Sequence, residues 1–306
     1  MSEAARALLL GLPPAPPALA AAALGLALLL ALSCSAMPVL RRLLAVAACR
    51  RAIFKFWYGR IAADHRDQDS IVFMNYGFSP TRAGEELAPA ERADQLCANL
   101  YRRVAGAAGS LKGKRVLEVG AGRGGGASLV ARALAPAKLV ACDYSPSAVA
   151  LAQRRHAAVR NLEFVEGDAE ALPFADASFD AVLNVESSHC YGSIERFVAE
   201  VARVLKPGGA FCMCDFRTVA DMRALEALLR AQPALELVEA VDITANVVAA
   251  LEEDDDRKRL QIAALTGPFL RGLMGEFAGL RGGIVYEGFK ARTSVYWRFA
   301  CRKKAA

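Results

Sequence analysis

The sequence predicts an α/β fold, a doubly wound, seven-stranded, mostly parallel sheet behind an N-terminal transmembrane helix. Three observations carry this expectation. From residue 114 onward, short apolar runs alternate with amphipathic helical segments. A glycine-rich turn, Gly120 to Gly125, follows the first of those runs. The stretch from Ala7 to Leu40 carries no charged residue.

The N-terminal stretch comes first. Pro13, Pro14, Pro16 and Pro17 break its opening, and Ala18–Leu40 then gives 23 residues rich in Ala and Leu. At ~1.5 Å per residue such a helix spans a hydrocarbon core of ~30 Å. A buried helix of a globular domain is one alternative. A signal peptide cleaved near Cys34-Ser35-Ala36 is another. The single Arg6 before the run, and the length of the run, favour a retained anchor. Arg41, Arg42, Arg50, Arg51, Lys55 and Arg60 follow, with no acid between residues 41 and 60. By the positive-inside rule the remainder is cytosolic. The expectation is a single-pass membrane protein, of the endoplasmic reticulum membrane if the source is eukaryotic. Residues 1–40 form the anchor, 41–69 a basic amphipathic juxtamembrane segment, and 70–306 the globular domain. In the middle segment Phe54, Phe56 and Trp57 suit either a headgroup interface or packing on the domain.

Charge and composition exclude several functions. The net charge is +6, and residues 41–60 hold the whole excess. A nucleic-acid binder would spread that charge over its folded domain. With 55% hydrophobic residues, the chain is not disordered. Its eight cysteines form no CxxC pair, which argues for a reducing compartment. Its three histidines, His65, His156 and His189, do not make a metal cluster. His65 lies among Asp64, Asp67 and Asp69, where a surface role is expected, and His156 follows two arginines and is expected to face solvent.

Within the domain, residues 114–119 read as a buried strand running into the glycine turn. Gly120, Gly122 and Gly125 satisfy GxGxxG, a pattern that lets backbone approach a ligand closely. Residues 126–134 read as a helix and Lys138–Cys142 as a second strand, ending in Asp143. An acid there, 23 residues past Gly120, can accept from a ribose diol; a helix N-terminal acid is the alternative. Leu162–Val165 is the third strand, followed by Asp168, and Asp180–Val185 is the fourth. Ser193–Lys206 is an amphipathic helix ended by Pro207-Gly208-Gly209, and Ala210–Asp215 is the fifth strand. Gly120, Asp143, Asp168, Asn184 and Asp215 fall at strand ends, so they are expected to ring one crevice. Leu235–Ile243 reads as an edge strand and Tyr296–Cys301 as a final antiparallel strand at the sheet edge. Residues 218–292 are expected to form an acceptor lid. Within them Glu252–Asp256 reads as a solvated helix end, and Leu273, Met274 and Phe277 as an apolar helical stripe.

The motifs VLEVGAGRGGG, CDYS, GDAEALPF, FDAVLNVESSHCY and VLKPGG, in this order, resemble class I S-adenosylmethionine-dependent methyltransferases with a Rossmann-like fold. GGGAS, NVESSHCY and the closing SVYWRFACRK resemble, more narrowly, the mycobacterial phthiotriolone and phenolphthiotriolone dimycocerosate methyltransferases, over roughly residues 70–303. Those act on a hydroxyl of a long-chain lipid. The resemblance implies S-adenosyl-L-methionine as cofactor, a lipophilic small-molecule or lipid acceptor, and neither metal nor nucleic acid as partner. Its implied cofactor contacts are Glu118, Gly120, Gly122 and Gly124 at the methionine end, Asp143 with Tyr144 at the ribose, Asp168 and Ala169 at the adenine, and Asn184 along the cofactor. Asn75 to Phe78 resembles a segment that closes over the cofactor, with Tyr76 as its aromatic; core packing is the other reading of Tyr76.

His189 is the candidate general base for a hydroxyl acceptor, with Glu186 a possible orienting partner three residues earlier. A purely structural loop histidine is the alternative. Methylation at oxygen is the leading expectation. Methylation at carbon or nitrogen of a sterol, quinone or lipid amine is the rival, and a non-catalytic binding or scaffold protein is the reading from another class.

Overall fold

The computed structural model describes residues 71–80, 94–265, 267 and 271–305. The expected anchor at 1–40, the juxtamembrane segment at 41–69 and His65 lie outside the described residues.

In chain order the elements are α1 (Gln95–Gly106), β1 (Arg115–Val119), α2 (Gly125–Ala133), β2 (Lys138–Asp143), α3 (Pro146–Arg155), β3 (Leu162–Glu166), β4 (Phe179–Val185), α4 (Ile194–Val204), β5 (Leu205–Thr218), α5 (Val219–Ala231), β6 (Leu235–Asp242), α6 (Thr244–Leu265), α7 (Arg271–Ala278), α8 (Ile284–Lys290) and β7 (Ser294–Lys303). A short 3₁₀ turn, Ser188–Cys190, sits between β4 and α4. The seven strands form one sheet in the order β3-β2-β1-β4-β5-β7-β6. β1 to β5 run parallel, and β7 is antiparallel to both β5 and β6.

Local chemistry accounts for the boundaries. Ser145 and Ser193 cap α3 and α4 by accepting from Ala148 N and Arg196 N, and Thr218 caps α5 by accepting from Asp221 N. The strand interiors are apolar on both faces, as a parallel sheet covered on both sides requires. Two cores result. One packs α1, α2, α6 and α8 on one face through Leu100, Val104, Val130, Leu251 and Phe289. The other packs α4 and α5 on the opposite face through Phe197, Val201, Leu225 and Leu229.

Several expectations are corrected. Among the described residues no helix is long and apolar enough to cross a membrane. The longest, α6, has 22 residues, with Glu252 to Arg259 an unbroken run of charges at its centre. The described residues thus form the seven-stranded Rossmann-like sheet with no transmembrane helix among them, which stands against the expected single-pass membrane protein. The acidic run is not a solvated helix end, because Asp254 and Asp255 are buried and bonded to Arg257 and Arg259. β7 is not the sheet edge. It inserts between β5 and β6, and β6 is the edge, with Val238 exposed. β5 is longer than expected, since pairing with β7 continues from Asp215 to Thr218.

Candidate active site

Strand order places the switch point at β1, whose parallel neighbours are β2 and β4. The loops after β1, β2 and β4 therefore open on the same side of the sheet.

The glycine turn is shaped by contacts on several sides. Gly120 (φ +79) has no room for a side chain, since a Cβ would lie 2.2 Å from Ser187 Oγ. Gly124 (φ +81) caps α2, and its Cβ would meet the Phe164 ring at 2.5 Å. At Gly122 (φ +54), among the described residues, only Met74 Sδ comes within 4 Å of a Cβ placed there, at 3.9 Å, so the backbone is open toward them. Asp143 ends β2 and ties the turn down, accepting from Gly122 N (2.7 Å) and Ser145 N (2.9 Å). Burial raises its pKa, and those N–H groups oppose the rise. Tyr144 beside it is exposed. Asp168 accepts from Glu170 N at 2.9 Å, and Ala169 is buried next to it. Glu118, near the end of β1, is fully buried. Oε1 accepts from Tyr101 OH at 2.7 Å, and Oε2 has no hydrogen-bond partner among the described residues. Burial pushes Glu118 up to about 8.

Asn184 is fully buried and holds the loop after β4, its Nδ2 lying 2.9 Å from Val119 O, 2.8 Å from Ser187 Oγ and 2.9 Å from Tyr191 OH. Asn184 thus secures Ser187 against Gly120.

Residues 71–80 cross this crevice as a strap. Ile71 O accepts from Arg155 Nη1 at 2.9 Å, and Val72 O would lie 2.5 Å from a Cβ on Gly125. Tyr76 N donates to Glu186 Oε2 (2.9 Å), and Ser79 N donates to Asn246 O of α6 (3.1 Å). The Tyr76 ring is buried against Phe216 and Phe289, with centroids 5.4 and 5.9 Å away. The buried Tyr76 ring agrees with its core-packing reading.

His189 is held by Asp215, not by Glu186. Nδ1 lies 2.8 Å from Asp215 Oδ1, and His189 N donates to Oδ2 at 2.9 Å. Ser188 Oγ also donates to Asp215, and Arg217 Nη1 is 3.5 Å from it. The Phe216 ring packs on the imidazole at 4.5 Å. Burial opposes a charged imidazole, whereas Cys190 and then the Asp215 carboxylate favour it; the balance raises His189 well above its ordinary value. Asp215 is correspondingly lowered: burial would raise it, and the His189 and Arg217 cations overcome that. Glu186 sits in a left-handed turn (φ +50) and accepts from Tyr76 N and Tyr296 OH, both at 2.9 Å. Burial raises it to about 7.

The structure thus brings together Glu118, Gly120, Gly122, Gly124, Asp143 and Asn184 around one turn, while Tyr76 lies on the strap against Glu186, Phe216 and Phe289. It sets His189 with Asp215 at the ends of β4 and β5. His156, expected to face solvent, instead lies under the turn, its Nε2 3.1 Å from Arg123 O and its ring stacked on Phe164. Tyr101 is not legible as a site residue in the sequence, and Asp215, expected at the crevice, is not legible there as the partner of His189. The signal for Asp215 was present: parallel pairing of Val185 with Cys214 puts the residues after β4 beside it.

A methyltransferase-domain family model matches residues 117–213, which span β1 to β5. With the glycine turn and Asp143 inside that match, the fold and site define an S-adenosylmethionine-dependent methyltransferase. The chain is 38% identical over 233 residues to the probable phthiotriol/phenolphthiotriol dimycocerosates methyltransferase 2 of Mycobacterium ulcerans, covering 76% of this chain and 89% of that one. It is also 38% identical over 248 residues to the fatty-acid O-methyltransferase of Mycolicibacterium smegmatis, covering 81% and 88%. A solved geranyl diphosphate methyltransferase with its substrate and sinefungin shares the fold, with a TM-score of 0.61 at 16% identity over 83% of this chain and 98% of that one. The chain belongs to the methyltransferase family that contains these mycobacterial enzymes.

The residues present fit S-adenosylmethionine. The open backbone at Gly122 gives room for close approach, Asp143 keeps acceptor capacity beyond its backbone bonds, and Glu118 Oε2 is buried without a partner among the described residues. Among the described residues no cluster could hold a metal ion.

Proposed function

We propose that the protein methylates an oxygen atom of a lipophilic acceptor, with His189 and Asp215 as the catalytic pair. The carrying observation is the 2.8 Å contact between the His189 ring and a fully buried carboxylate, walled by Phe216. The family relatives named for dimycocerosates and fatty acids support a lipid-like acceptor. The aromatic wall of Tyr76, Phe216, Phe289 and Tyr296 supports an apolar approach. Of the expected lid, α6 and α8 pack beside this wall, whereas α5 and β6 belong to the sheet layers.

When bound, S-adenosylmethionine supplies an activated methyl group on sulfur. The chain's residues align the acceptor oxygen with it and exclude water. Since a carboxylate only accepts, Nδ1 carries the proton facing Asp215, and Nε2 is the ring nitrogen whose protonation changes. For a hydroxyl acceptor, neutral His189 takes the hydroxyl proton at Nε2, and Asp215 stabilises the resulting imidazolium. Glu118, Gly120, Gly122 and Gly124 hold the methionine end, Asp143 and Tyr144 the ribose, and Asp168 and Ala169 the adenine. Asn184 supports them through the Ser187 loop, and Tyr76 closes the crevice.

A second reading is favoured by the raised pKa of His189. A ring that is charged at neutral pH suits a carboxylate acceptor, which needs no proton removed and would be held by the imidazolium. The pH profile separates the two. With a long-chain alcohol, turnover rises with pH as His189 loses its proton. With a fatty acid it falls through the same midpoint. In either case His189→Ala lowers turnover by about 10²–10⁴-fold with cofactor affinity nearly unchanged. Near-normal turnover in that variant, with an unaltered pH profile, sinks the assignment.

A further inference from the structure

We propose that Tyr101 is a positioning residue for the cofactor site. It fixes Glu118 so that its second oxygen takes the cofactor's ammonium, and binding of that cation releases a proton from Glu118. The inference rests on the cofactor reading above and extends it to a residue on α1 and to the energetics of binding.

The geometry is specific. Glu118 is fully buried, and Tyr101 OH donates to Oε1 at 2.7 Å, leaving Oε2 without a partner among the described residues. A buried carboxyl oxygen left unpaired is costly unless a ligand pairs with it. Tyr101 reaches Glu118 only because residue 126 is glycine, since a Cβ there would lie 1.8 Å from the tyrosine ring. Phe73 of the strap packs on the same ring at 5.9 Å. Tyr101 therefore lies between the strap, the glycine-turn helix and the acid.

The groups around Glu118 set its protonation. Burial raises its pKa most, Asp143 of β2 raises it further, and Tyr101 lowers it. Burial first, then Glu118, with smaller contributions from Cys214 of β5 and Glu186 after β4, raise Tyr101 well above its ordinary value and keep the phenol protonated, hence a donor. Without ligand the acid is therefore mostly protonated at pH 7. An ammonium at Oε2 favours the carboxylate, and the displaced proton passes to the buffer. The ligand's own α-amino group, ordinarily ~7.7–8.0, is mostly charged at pH 7 and stays so.

The test is calorimetry of S-adenosylhomocysteine binding at pH 7 in two buffers of different ionisation enthalpy, repeated from pH 6 to 8.5. The wild type should release between roughly half and one proton per site, with affinity rising toward pH 8. Glu118→Gln should release none. Tyr101→Phe should bind about tenfold more weakly at pH 7, with its affinity midpoint at higher pH, because the bond favouring the carboxylate is gone. A thermal scan establishes that each variant is folded. Should Tyr101→Phe fail to fold, Glu118→Gln alone decides. Undiminished proton release in Glu118→Gln, or an unmoved midpoint in folded Tyr101→Phe, would overturn the proposal. Absence of binding by the wild type would overturn the cofactor site itself, a separate failure.

Discussion

Asp215 accepts from the ring and backbone of His189, from Ser188 Oγ and from Phe216 N, with Arg217 alongside. A carboxylate so surrounded has one electrostatic task, to hold a cation in place. Asp215→Asn should therefore lower turnover by about 10²-fold or more and move the pH–rate midpoint downward, since the imidazole loses the charge that raises its pKa. It should also cost roughly 3 kcal/mol of stability near neutral pH, as a broken buried pair does. Wild-type rates in a folded Asp215→Asn protein would contradict the pairing. At this scale His189 was legible in the sequence because histidines are few and this one follows a strand end. Its partner was not. Glu186 is three residues away, but its left-handed backbone turns it toward Tyr76 and Tyr296, whereas Asp215 is 26 residues away and arrives through the β4–β5 register.

The elements explain how that register is held and what the strap does. Glu186 joins the strap to β7 by accepting from Tyr76 N and Tyr296 OH, while its own N–H donates to Cys214 O at 2.9 Å. Its positive φ costs about 1–3 kcal/mol, which the surrounding bonds must hold in place. Glu186→Ala should free the strap, so hydrogen exchange at the Tyr76 amide should quicken by about tenfold or more while β1 and β4 stay protected. Unchanged exchange would show that packing alone holds the strap. On α2, Gly126→Ala forces the Tyr101 ring to move and should destabilise by roughly 1–3 kcal/mol in urea unfolding. The parallel strands were legible as apolar runs, and the glycine turn as a pattern. The place of β7 was not, because a strand's neighbours depend on where the chain returns, and periodicity carries no record of that. The burial of Asp254 and Asp255 was hidden likewise, since their arginine partners neutralise them only once α6 forms.

Across the described residues, buried groups keep protons that the unfolded chain has lost, and three of them keep theirs to about neutral pH or beyond. Glu118 is raised from 4.5 to about 8, Glu186 from 4.5 to about 7, and His189 from 6.5 to well above it. The folded state thus binds more protons than the unfolded state above pH 4.5, so stability falls as pH rises toward 8. Asp215, lowered, works in the opposite sense only below its ordinary value of 3.8. Urea unfolding should show stability lower at pH 8.5 than at pH 5.5 by on the order of a few kcal/mol, with Glu118→Gln removing much of the difference. Equal stability at both values would contradict the buried protonated acids.

The most direct test of the account is transfer itself. Purified protein is incubated with methyl-labelled S-adenosylmethionine and, in parallel, a long-chain alcohol, the matching fatty acid and the matching amine, with the products read by mass spectrometry. The account predicts label on oxygen, as an ether or an ester, lost by at least about 10²-fold in both His189→Ala and Asp215→Asn. Label on the amine nitrogen alone, or oxygen methylation that survives both substitutions, would contradict it.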